Sequence, residues 1–264
     1  MLSNVSPVLT FQHLCDAQHL PHDFLHAVQH IDSTSPVTKI NLTMSRLPNF
    51  SCMPHTSMNE AGPQHRGTIH FVENSSQIED AYLDALQGRI STRPVIEMTI
   101  PSSLDPTLTA NKEHHVASLF TQYTPYDIQG GWTDAACAAY AARCFSVIEE
   151  YCPGFTASIM HYEVLPPPIL ERIFGLSGGN IFHAAMGLDQ LYWLRPTVGW
   201  SQYRTPIHGL YLCGAGTHPG QPATAIHSIH TQHHWIKDCI LTPDVASYLM
   251  HYFVILCFVL LSLA

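Results

Sequence analysis

The sequence is short of positive charge. Of its 264 residues 11 are Lys or Arg against 20 Asp or Glu, giving a formal net charge of −9 with His neutral, and only three residues are lysines. A chain so poor in cations has no basic stripe to neutralise a phosphate backbone, which removes nucleic acid from the expected partners. The eight cysteines, at 15, 52, 137, 144, 152, 213, 239 and 257, form no C-x-x-C pair and no dense framework. That spacing excludes a disulfide scaffold and a redox disulfide, and it reads as reduced thiols in a reducing compartment. Staples are not needed, because this length buries an ordinary core as one large domain or two smaller ones. The first eleven residues, MLSNVSPVLTF, lack both a basic n-region and an Arg-rich amphipathic pattern, so neither a secretory signal nor a transit peptide is expected there. The sequons at Asn4, Asn41, Asn49 and Asn74 are accordingly expected to be chance matches. No internal repeat is visible.

Histidine is abundant, with 19 scattered over the chain and one cluster between His227 and His234. His227, His230 and His234 would share a helical face, a geometry that zinc or nickel can use. Apart from Asp238 and Cys239 no further ligand lies nearby, and no metal is expected. Residues 245–264, VASYLMHYFVILCFVLLSLA, contain no Asp, Glu, Lys or Arg. Their number matches the roughly 20 apolar residues that cross a bilayer, which makes them a candidate transmembrane anchor with Trp235, Lys237 and Tyr248 near the interface. A frame-shifted sequence, or a helix packed on the body, is the alternative reading.

Periodicity organises the middle of the chain. Phe24, Leu25, Val28 and Ile31 predict a helix starting near Pro21 and His22. Residues 35–44 alternate Val37, Lys39, Asn41 and Thr43 against Thr38, Ile40, Leu42 and Met44, a half-buried strand. Residues 48–67 show no periodicity and predict a surface loop. GTIHFVE predicts a strand, and QIEDAYLDALQGR a helix with Ile78, Tyr82 and Leu86 four apart, closed by Gly88. Two further strands come next, one stopped by Pro101 and one by Pro125. The longest helix is predicted from a Thr133 or Asp134 cap to Pro153-Gly154. The triplet Pro166 to Pro168 is expected to break any regular element. Strands and helices do not alternate strictly, so the expected class is α+β.

Two segments hold candidate chemistry. LYLCGAG is an apolar strand running into Gly214 and Gly216, a turn tight enough to approach a bulky anion such as a pyrophosphate. It lacks the third glycine of G-x-G-x-x-G, and a plain glycine turn is the alternative. In GLSGGNIFHAAMGLDQLYWLRP, Gly178 and Gly179 would let the backbone pack against a planar ring. His183, Gln190 and Arg195 stand there beside Phe182, Tyr192 and Trp193, a composition suited to a large organic ligand or to a structural turn over core aromatics.

These stretches, with SPVTKIN, RPVIEMTIPSSLDPTL and SLFTQYTPY, resemble the phytoene desaturase-like branch of the FAD-dependent amine oxidase superfamily over roughly residues 2 to 220. The resemblance implies an α/β FAD-linked oxidoreductase with a mixed-sheet substrate domain and remnant strands of a Rossmann-like FAD domain. On that basis residues 1–10 are a remnant of the FAD domain, 11–205 the substrate domain and 206–220 the strand and turn that return to the flavin. Residues 221–244 are then a divergent His-rich segment, and 245–264 the apolar tail. Gly214, Ala215, Gly216 and Gly220 are the implied FAD-binding positions, and Gly179, Asn180, His183 and Tyr192 the implied substrate pocket for an unknown small organic molecule. No catalytic acid or base is implied.

The sequence departs from the family at two points. It has no N-terminal dinucleotide fingerprint, so Met1 corresponds to a position partway through the fold, as in a fragment. After Gly220, Gln221 and Pro222 stand where the family has further glycines and a helix whose amides face the flavin. The expectation is an FAD-dependent oxidoreductase in truncated form, inactive as an isolated chain; the alternative is a catalytically inactive, membrane-tethered or partner-binding fragment. The resemblance implies the mitochondrial matrix, and the tail implies a membrane.

Overall fold

A computed structural model of the chain describes residues 1–54 and 60–220. The histidine cluster and the candidate anchor lie outside the described residues. In chain order the elements are Leu2–Ser3 (β1), Pro7–Leu9 (α1), His22–Gln29 (α2), Val37–Met44 (β2), Ile69–Phe71 (β3), Ser75–Leu86 (α3), Val95–Thr99 (β4), His115–Gln122 (β5), Asp134–Tyr151 (α4), Phe155–Ser158 (α5), Ile159–Leu165 (β6), Pro167–Phe174 (α6) and Tyr211–Leu212 (β7). The class is the expected mixture of α and β. The described residues separate into two units, one of residues 34–180 and one of residues 1–33 with 181–220. Among the described residues no helix is long and apolar enough to cross a membrane.

The 34–180 unit is built on alternation. Ile40, Leu42 and Met44 point to one face of β2 and are buried, while Lys39, Asn41 and Thr43 are half-exposed on the other. Five antiparallel strands line up in the order β3-β4-β5-β2-β6. The register sets Ile40 opposite Leu119 and Val164, and Leu119 opposite Met98, so one apolar row runs across the sheet. Against it lies α4, whose Cys137, Tyr140, Ala141, Cys144, Val147 and Ile148 form a buried stripe at helical spacing. Each large apolar side chain fully buried in this layer contributes about 1.5–3 kcal/mol. The Thr133 hydroxyl accepts from the Ala136 amide at 3.2 Å and caps α4 as expected. Inside, the Tyr140 hydroxyl donates to Thr121 at 2.8 Å, and Thr121 donates to the Thr38 carbonyl at 2.8 Å, which satisfies these two hydroxyls.

Two local expectations are corrected, and the inward face of α3 is added. The 48–67 stretch is not wholly a surface loop, because Phe50 and His65 are buried. The His65 ring accepts from the Gly62 amide at 3.0 Å and donates to the Pro48 carbonyl at 2.8 Å, which fixes its neutral tautomer and makes burial tolerable. The proline triplet ends β6 but leaves the next helix intact. Pro166 caps α6, and Pro167 and Pro168 occupy its first turn, where no amide donor is needed. Finally, α3 forms where predicted but buries Gln77 and Ala81, leaving Ile78, Tyr82 and Leu86 in solvent.

In the other unit β1 runs parallel to β7, with Leu2 opposite Tyr211 and Ser3 opposite Leu212. Regular strand pairing in LYLCGAG is thus two residues long. Phe11, Phe24, Val28, Leu210 and Leu212 form the core of this unit, and Phe24 meets both Phe11 and Trp200 edge to face at 4.8 and 5.1 Å.

Candidate functional site

The glycine turn is closed by its own backbone. The Thr217 amide and hydroxyl both donate to the Gly214 carbonyl, at 3.2 and 2.8 Å, and the Gly220 amide donates to the Thr217 carbonyl at 2.8 Å. Gly214 and Gly220 have φ of 89° and 98°, a region that disfavours side chains. At Gly216 the requirement is space, since a Cβ would stand 2.5 Å from the Pro7 Cδ and 3.3 Å from the His183 Cβ. The close approach that the G-x-G spacing suggested is therefore made by the chain's own N-terminal segment.

Arg195 ties this turn to the loop before it. The side chain is 1% exposed, and its guanidinium faces only carbonyls. Nε donates to Ala215 at 2.8 Å, Nη1 to Gln190 at 3.0 Å and Ala185 at 3.3 Å, and Nη2 to Phe182 and to Ala184 at 3.4 Å. Burial without a carboxylate pushes its pKa down to about 10. Five carbonyl dipoles still leave it a cation at neutral pH.

His183 lies against Gly216 with φ of 65°. Burial first, and the Arg195 charge second, push its imidazole down to about 4, so it is neutral at physiological pH. Its Nδ1 is buried with no hydrogen-bond partner among the described residues, and so is Nδ1 of His218. The His218 ring stands 5.5 Å from that of Trp193. Tyr192 has φ of 52°, is largely exposed, and donates its amide to the Pro219 carbonyl at 3.2 Å. Gln190 is engaged by the backbone of Asp32, accepting at 2.7 Å and donating at 3.0 Å. His183, Tyr192 and the 214–220 turn are thus brought together in one unit.

Gly179 and Asn180 belong to the other unit. A Cβ on Gly179 would overlap the Pro167 carbonyl oxygen, so the backbone there packs on backbone rather than on a planar ring. The buried Asn180 amide donates to the Thr34 carbonyl at 2.8 Å. That unit also holds a cleft of about 390 Å³ lined by Tyr126, Asp127, Trp132, Asp134 and Arg172, which periodicity gave no means of finding. Glu171 anchors its wall, accepting from the Tyr126 hydroxyl at 2.5 Å and from the Gly178 amide at 2.9 Å. Among the described residues no group of three His, Cys, Asp or Glu is placed to hold a metal ion.

No family profile matches the chain. It is 49% identical over 223 residues to the rat pyridine nucleotide-disulfide oxidoreductase domain-containing protein 2, and 48% identical to the mouse protein. Each of these alignments covers 83% of the chain and 38% of the relative, so the chain spans well under half the length of these proteins. A limonene dehydrogenase subunit of Castellaniella defragrans is 30% identical over 158 residues, covering 58% of the chain and 28% of that protein. A solved oxidoreductase from Methanosarcina mazei aligns with a TM-score of 0.41 at 15% identity, covering 82% of the chain and 37% of its own. The chain is a homologue of the pyridine nucleotide-disulfide oxidoreductase domain-containing protein 2 family.

Proposed function

We propose that the chain is part of an FAD-dependent oxidoreductase of the phytoene desaturase-like class, supplying the substrate domain and, through residues 206–220, the turn that faces the flavin. The observation that carries this reading is the Gly214–Gly220 turn, pinned by Arg195 against His183, in a chain 49% identical to an oxidoreductase-domain protein. Among the buried polar atoms without partners in this unit, which include Ser33 Oγ and Thr197 Oγ1, the ring nitrogens Nδ1 of His183 and His218 are ones that a planar heterocycle would satisfy. The limonene dehydrogenase relative is named for a hydrocarbon, which favours an apolar organic substrate here.

The described residues do not fit a whole FAD. A pyrophosphate needs a glycine loop opening onto a helix N-terminus, and G-x-G-x-x-G occurs nowhere in the sequence. At Gly216 the space such a ligand would use is filled by Pro7. No hydride-transfer step is therefore assigned to these residues, and on this reading residues 1–264 by themselves do not hold the flavin. An absorbance spectrum of the purified chain tests it: the expected result is a colourless protein, and a stoichiometric flavin band would overturn this reading.

On the same reading the protein resides in the mitochondrial matrix, with residues 245–264 able to insert in a membrane by virtue of their uncharged apolar length. Carbonate extraction of membranes, with and without those residues, checks the second point. Anchoring predicts that the full chain stays in the pellet while the shortened one is released.

A further inference from the structure

Helix α3 turns its apolar stripe away from the protein. Ile78, Tyr82, Leu83 and Leu86 are 39%, 44%, 43% and 64% exposed, whereas the positions packed inward are Gln77 and Ala81. Burial of Gln77 is made tolerable by its hydrogen bonds, accepting from the Glu73 amide at 3.0 Å and donating to the Pro94 carbonyl at 3.3 Å. The helix is thus held by its polar side, by the Asn74 cap and by Tyr82, whose ring meets that of Tyr123 edge to face at 5.5 Å, while Ile78, Leu83 and Leu86 stay largely exposed. At about 100° per residue the four apolar side chains span an arc of about 140°. Glu79 lies inside that arc, between Leu86 and Leu83, and Asp80 about 60° beyond Leu83, and both are exposed and without an ion pair among the described residues. Contiguous exposed apolar surface with a polar rim marks an interaction site.

We propose that α3 docks an amphipathic helix of a partner protein, one whose apolar face is flanked by Lys or Arg. The two carboxylates, one inside the stripe and one beside it, select among occupants. A second copy laid stripe on stripe would bring Glu79 and Asp80 of both copies together, a like-charge contact that disfavours self-pairing. A lipid surface with anionic headgroups repels the same two carboxylates, since interfacial helices bind through basic flanks. A cationic amphipathic helix instead buries the stripe and pairs with the two carboxylates, the recognition mode in which apolar anchors recur at i, i+4 and i+8.

The test uses the full chain with Leu86 replaced by the photo-crosslinker p-benzoylphenylalanine, and two fluorescent 18-residue probe helices of equal apolar face, one with a Lys rim and one with a Glu rim. The expected result is saturable binding of the Lys helix, at least tenfold tighter than the Glu helix, with a crosslink from position 86 to the probe. The pair E79K/D80K is expected to invert that preference, and I78S/L86S to weaken the Lys helix at least tenfold with an unchanged circular dichroism spectrum. Equal affinity for both helices overturns the proposal. So does a position-86 crosslink to residues 221–264 of the same chain, a crosslinked homodimer, or co-sedimentation with anionic phosphatidylserine vesicles that I78S/L86S abolishes.

Discussion

The sheet of the 34–180 unit and the glycine turn of the other unit are held by opposite means. In the sheet, side chains meet side chains: Ile40, Leu119 and Met98 lie in one row beneath α4, and deleting one leaves a hole that neighbours partly fill. Around the turn, one side chain meets only backbone, with Arg195 reaching the carbonyls of five residues. A packed layer fails gradually; a charged hub fails at once, because its carbonyls are left buried without donors. Arg195→Met should therefore be the most damaging change outside the sheet, costing about 3–5 kcal/mol in urea unfolding. A loss below about 1 kcal/mol would mean that water reaches those carbonyls and that the two regions do not differ in this way.

Acid should weigh more heavily on the turn than on the sheet, where burial also pushes the His115 imidazole down, by a smaller amount. In the unfolded chain the His183 imidazole takes its proton near the ordinary 6.5, and in the folded chain only near 4. Between those values the unfolded state binds more protons, so stability is whole above about pH 6.5 and falls as the pH drops toward 4, by up to about 3 kcal/mol. Thermal unfolding followed across that window should show this slope. His183→Asn, which tolerates the left-handed backbone, should flatten it.

The same contrast explains what could be read in advance. β2, β5 and α4 announce themselves because alternation and a helical stripe are the physical condition for burying one face. At α3 the period was right but does not say which face turns inward: hydrogen bonds to Glu73 and Pro94 make a glutamine the better buried residue. Nothing in YWLRP marks Arg195 as buried, because carbonyl acceptors are common to every residue and leave no pattern. The G-x-G spacing signalled a close approach correctly but not its occupant, which is Pro7. Gly179 and Asn180 of the expected pocket are likewise engaged by Pro167 and Thr34.

Within the sheet unit a smaller effect probes how far packing, rather than polar contact, governs. Tyr140→Phe removes the hydroxyl that donates to Thr121 at 2.8 Å, while Thr121 keeps its own bond to the Thr38 carbonyl. The expected loss is about 1 kcal/mol by differential scanning calorimetry. A loss as large as that at Arg195 would show that this unit too depends on a polar hub.

The smallest effect is expected where a large apolar side chain is removed. Leu86→Ser deletes an isobutyl group that is 64% exposed on α3, and the helix is held instead through Gln77, Ala81 and the Asn74 cap. Because little apolar area leaves the protein interior, the change in unfolding free energy should stay within about 0.5 kcal/mol. A leucine of the buried row gives the opposite result, with Leu119→Ala costing about 2–5 kcal/mol by the same measurement. If Leu86→Ser were to destabilise by a comparable amount, the stripe would be buried by the protein itself, and α3 would belong with the packed layer rather than with surfaces that await a partner.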